Sequence, residues 1–105
     1  MPKLAAEPFD LESTQHFFRI REGFEHIRVR KHGDLLVLES GPKTDPVQHA
    51  RLRRVTRQWW TLEVATHTGQ WQSAGLRHPR MQVLEALVVD FPWVLTPIAK
   101  PGTEF

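Results

Sequence analysis

Two hydrophobic rhythms divide this chain, and the switch between them limits its fold more than any single residue does. Over residues 17–71 apolar residues tend to alternate with polar ones, and after Gly75 they recur every third or fourth position. Alternation sends successive side chains to opposite faces of a strand, whereas the wider spacing gathers them into one stripe along a helix. Phe18 and Ile20 alternate with Arg19 and Arg21, and Ile27 and Val29 alternate with Arg28 and Arg30. His32-Gly33-Asp34, Ser40-Gly41-Pro42, Thr56-Arg57-Gln58 and His67-Thr68-Gly69-Gln70 punctuate the runs as turns. The runs between these turns predict strands at 35–38, 48–55 and 59–66, then a short one ending at Trp71.

Beyond Gly75, Met81, Leu84, Leu87, Val88 and Phe91 form one apolar stripe, predicting a helix over 79–91. Pro79 suits its first turn and Pro92 ends it. Trp93, Val94, Leu95 and Ile98 are expected to lie extended across the core. Residues 1–16, with Pro2 and Pro8, read as a mobile leader, 17–98 as a single domain and 99–105 as a tail. Within that tail Gly102-Thr103-Glu104-Phe105 is what two adjacent cloning sites encode, so it is expected to include a cloning scar. The predicted class is α+β: an antiparallel β-meander of four to five strands with one C-terminal α-helix packed on one face.

Such a sheet leaves its other face wet, and strand phase says what stands there. With Ile27, Val29, Ala50, Leu52, Trp60, Leu62 and Val64 turned toward the helix, Arg28, Arg30, Arg51, Arg53 and Trp59 turn away. Residues 50–71 concentrate four arginines and three of the four tryptophans, the residue types that carry most interface energy. A second basic group, Arg77, His78 and Arg80, is expected at the helix entry, where free N–H groups favour an anion. Trp60, Trp71 and Trp93 are assigned to the core or its rim.

Other chemistries find little support. The chain has no cysteine, which removes disulfides, thiol catalysis and thiolate metal sites. Six histidines fall at spacings that do not suit zinc, and Ser13, Ser40 and Ser73 sit in no nucleophile-elbow pattern. No catalytic residue, metal or cofactor is therefore expected. The longest apolar runs, 86–89 and the equal run 35–38, are far too short to span a membrane, and the chain opens on no secretory pattern, so a cytoplasmic place is expected. Net charge is only +2, although ten of the fourteen basic residues are arginines.

The run over 33–71 resembles a small bacterial family of uncharacterised domains with a Trp-containing β-meander. The residues that carry the likeness are the hairpin arm at 33–42, the basic strand at 51–55, the strand at 59–64 with Trp59 and Trp60, and Gly69-Gln70-Trp71. The resemblance implies a similar meander and brings no activity with it. From the residues themselves the expectation is a non-enzymatic binding module whose arginine- and tryptophan-rich face meets an acidic protein surface or nucleic acid. The alternative is a self-associating structural protein that closes a homodimer through the Trp59 face.

Overall fold

A computed structural model describes residues 4–66 and 68–96. The order is α1 (Pro8–Arg19), β1 (Arg28–His32), β2 (Leu35–Ser40), β3 (Val47–Arg54), β4 (Trp60–Ala65), β5 (Trp71–His78), α2 (Arg80–Asp90) and a short 3-10 helix, η1 (Pro92–Leu95). The five strands form one antiparallel sheet in sequence order, so each pairs with its neighbours in the chain. The α+β class and the meander stand as predicted, and an N-terminal helix is added to them.

That helix corrects two expectations. Part of the supposed leader and the supposed first strand together form α1, with Pro8 in its first turn. A capping box starts it: the Glu7 side chain accepts from the backbone of Asp10, while the Asp10 carboxylate accepts from the Glu7 N–H at 2.8 Å. Its buried positions are Asp10, Thr14, Phe17 and Phe18, a helical spacing half filled by polar residues. A stripe built on Asp10 and Thr14 has no hydrophobic signature, so the alternation of Phe18 and Ile20 dominated the pattern. In the fold Phe18 is fully buried and Ile20 is exposed. Arg21 folds back on the helix end, its guanidinium 3.5 Å from the Phe17 ring centre and donating to the Phe17 carbonyl.

The sheet is covered on one face by α1, α2 and η1. Fully buried Phe18, Leu36, Leu52, Leu62, Leu84 and Leu87 lie at the centre of the apolar layer between. Trp60 joins this core, whereas Trp59, one residue earlier, is 40% exposed. The sheet's first edge is closed by a side chain. Gln15 donates to the Ile27 carbonyl and accepts from the Val29 N–H, both at 2.9 Å, so its amide pairs with β1 as a neighbouring strand would.

Three further differences concern the second half. β5 runs on to His78 because Gly75, at φ +75°, allows an irregularity where the sequence suggests a break. Thr61 pairs with Arg77 and Glu63 with Ser73, so three β5 residues stand opposite Leu62. In α2 the buried positions are Val83, Leu84 and Leu87, while Met81 turns out to solvent. Residues 92–95 coil into η1 instead of lying extended, with Leu95 buried and Trp93 66% exposed. Trp93 therefore stands outside the core or rim to which it was assigned. Ile98, His67 and the tail at 99–105 lie outside the described residues.

Candidate functional site

Cross-strand register assembles the uncovered face. Arg28 pairs with Glu39 across β1 and β2, Val37 with Arg51 across β2 and β3, and Arg51 with Glu63 across β3 and β4. Arg53 stands opposite Thr61, and Thr61 opposite Arg77, extending the face to β5. Antiparallel partners share a face. The alternation thus brings Arg28, Arg30, Arg51 and Arg53 onto one surface and adds Arg77, which the sequence pattern assigned to the helix entry.

Carboxylates are woven through this surface. Glu39 holds Arg30 at 3.1 Å and Arg28 at 3.4 Å. Glu63 pairs with Arg51 and lies 3.6 Å from Arg53, which also meets Asp34 at 3.0 Å. Arg51 lies over the Trp71 ring, 4.2 Å from its centre, so Trp71 belongs to this face. The arginine stems roof over Leu35 and Val37, which are buried although no element covers that side. Five guanidiniums thus meet three carboxylates, leaving the face basic, and Arg77 is exposed with no ion pair among the described residues. Trp59 lies at the end of the same face by strand alternation, with Val55 exposed beside it in the turn.

The second basic group does not converge. Arg77 and His78 end β5, and only Arg80 belongs to α2. Its Nε lies 3.3 Å from Asp10, and its two terminal nitrogens donate to Thr14 and Ser13. Burial pulls the Arg80 pKa below its ordinary value, and Asp10 opposes that shift. This guanidinium clamps α1 to α2, which corrects its assignment to an anion site at a helix entry: its donors are already taken.

A polar cluster that the sequence does not announce lies under η1. Leu38 pairs with Ala50 and Glu39 with Gln48, which leaves His49 as the extra residue of a β-bulge. The bulge turns His49 into the interior, where it is 2% exposed. Its Nδ1–H donates to the Val94 carbonyl at 3.0 Å, so Nε2 is the acceptor for the Ser40 hydroxyl at 2.7 Å. His26 donates from Nε2 to the next carbonyl, Leu95, and the two rings meet edge to face at 6.2 Å. Ser40 therefore does have a histidine beside it. The pair is buried, however, and serves to fasten η1 to the sheet. Only a bulge, invisible in period-two reading, brings the two together.

Burial lowers the His49 pKa, the bond to Val94 partly offsets this, and charge on His26 acts with burial. The folded state keeps this ring neutral at a pH where the unfolded chain already binds a proton. His49 thus contributes stability that is fully present above about pH 6.5 and lost progressively as pH falls below it. Urea titrations between pH 7.5 and about 5 should show this decline, and His49→Gln should flatten it. An equal slope in that variant would assign the decline to other groups.

Beside the cluster runs an open groove of about 750 Å³, lined by Val47, Gln48, His49, Val64, Ala65, Thr66, Gly69, Gln72, Trp93 and Val94. A second, of about 710 Å³, follows the outer side of α1 next to Val29. Among the described residues no group of three histidine or carboxylate side chains is placed to hold a metal ion. No described helix is long and apolar enough to cross a membrane. No family model matches this chain, and neither the curated proteins nor the solved structures contain a significant match to it, so the functional reading rests on its own geometry.

Proposed function

We infer that this chain is a binding module whose uncovered sheet face docks on an acidic protein surface. The observation that carries this reading is the set of five arginines on three of the five strands, four of them held in place by a smaller number of carboxylates and Arg77 left unpaired among the described residues. Pairing pre-positions the guanidiniums and lowers the entropic cost of meeting a partner. The carboxylates are largely buried while Arg28 and Arg30 stay 30% and 45% exposed, so a partner's carboxylates can add to the free N–H groups of these guanidiniums without breaking the pairs beneath. Arg51 over Trp71, and Trp59 at the end of the face, supply residue types that dominate interface energetics.

The two other partners fit less well. A phosphate backbone presents a dense, continuous row of charge and calls for more uncompensated positive charge than a face with Glu39, Glu63 and Asp34 among its arginines supplies, whereas the sparser carboxylates of a protein can be met singly. A symmetric homodimer through this face would set its surplus arginines against their own copies.

Anisotropy of labelled poly-L-glutamate and of a labelled single-stranded oligonucleotide, at about 20 and 200 mM salt, separates the readings. Polyglutamate should bind at low salt and release at high salt. Replacing the exposed, unpaired Arg77 by alanine should weaken it several-fold while leaving the melting temperature nearly unchanged. Tighter binding of the oligonucleotide would move the assignment to nucleic acid. A dimer that Trp59→Ala dissociates would move it to self-association, and no binding of either polyanion would end it.

A further inference from the structure

At the end of the sheet where β3 begins and β4 ends, the groove beneath η1 has a chemistry unlike the arginine face. We propose that it is a binding site for an uncharged saccharide. In a chain with 25% charged residues, its described lining holds no Asp, Glu, Lys or Arg. The one ionisable group there, His49, is kept neutral by burial and spends both ring nitrogens on Ser40 and Val94. Such a lining offers nothing to a phosphate, a carboxylate or an ammonium group, whose desolvation it could not repay.

What it does offer is an aromatic plate and an unspent amide. Trp93 is 66% exposed, and its ring is braced by Phe91 at 5.8 Å, so the indole stands fixed at the groove. The C–H face of a pyranose is apolar and flat enough to lie on an indole, while its hydroxyls point outward around the ring. Gln72, paired with Val64 on the covered side of the sheet, lines the groove and is exposed, and among the described residues its amide has no hydrogen-bond partner in the protein. It carries donor and acceptor together, the combination that vicinal hydroxyls require. A planar apolar ligand would leave this amide unpaired, and an anionic one would find no cation among the described lining residues. The groove is open rather than enclosed, which suits one ring of an oligosaccharide chain.

His49 gives the site its shape. By holding the Val94 carbonyl it fixes η1, and with it Trp93, above the ends of β3 and β4.

Calorimetric titration with cellohexaose, maltohexaose and the N-acetylglucosamine hexamer of chitin, and with a hexamer of galacturonic acid as the charged comparison, tests the proposal. At least one neutral hexamer should bind with a Kd between about 10 μM and 1 mM, more tightly than the acidic one. Trp93→Ala should lower that affinity by about tenfold or more, and Trp93→Tyr should keep most of it. Gln72→Ala, at a position already exposed, should weaken binding several-fold with the melting temperature unchanged, which covers the case of a poorly folded Trp93→Ala. Failure of all three neutral hexamers at millimolar concentration would overturn the assignment. So would equal binding of the acidic hexamer, or affinity indifferent to both Trp93→Ala and Gln72→Ala.

Discussion

Replacing Asp10 by asparagine should cost the fold about 3–5 kcal/mol, the usual result of stripping one partner from a buried charge network. The carboxylate is almost fully enclosed and receives the Glu7 N–H at 2.8 Å. Arg80 lies 3.3 Å from it and Arg54 3.9 Å, and both guanidiniums are themselves largely buried. Asparagine preserves the shape and the bond to Glu7, so the loss isolates the charge. Arg54 is poorly placed to bear that loss, because its Nε is already buried without a hydrogen-bond partner. Urea unfolding should show a lower midpoint at an unchanged slope. A change below about 1 kcal/mol would mean that the pair is hydrated and worth no more than a surface bridge. Changing Asp10 to leucine and Arg80 to methionine together should recover only part of the stability, since Arg80 no longer stands unpaired but Arg54 and the Glu7 N–H still lose the carboxylate.

Leu87→Ala should cost about 2–5 kcal/mol, because the side chain is fully buried between α2 and the sheet. Each kcal/mol moves the midpoint of a domain this size by about 4–8 °C, so melting should fall by about 10 °C or more. Val89, two residues on, is 71% exposed, and its alanine variant should stay within about 0.5 kcal/mol of the parent. Similar effects at the two positions would contradict the docking of α2 described here.

These two sites also mark what the sequence reveals and what it hides. Leu84 and Leu87 were legible because a helix that buries leucines repeats them at its own period. So was the phase of β4, where Trp60 is buried and Trp59 is not. The clamp on Asp10 was not legible. A helix whose inner stripe includes Asp10 and Thr14 looks polar, and its partner Arg80 lies far along the chain, so only the assembled fold shows that the two meet. The uncovered face was readable as a row of arginines. Its neutralisation by Glu39 and Glu63 followed from register, which the turns only partly fix. His49 was beyond reach, since a bulge adds one residue without leaving a pattern. Trp93 was misplaced because proline on either side suggested an extended segment, whereas Pro92 instead opens a short 3-10 turn.

If the uncovered arginine face is the working surface, the place where an acidic ligand sits can be observed directly. Titrating ¹⁵N-labelled protein with poly-L-glutamate at low salt should shift the Nε–H signals of Arg30, Arg51 and Arg53 together with backbone amides of the strands beneath them. Signals from α2 and η1 should stay still, and added salt should return the moved peaks to their starting positions. Shifts confined to the helix-covered side, or none at all, would contradict the account.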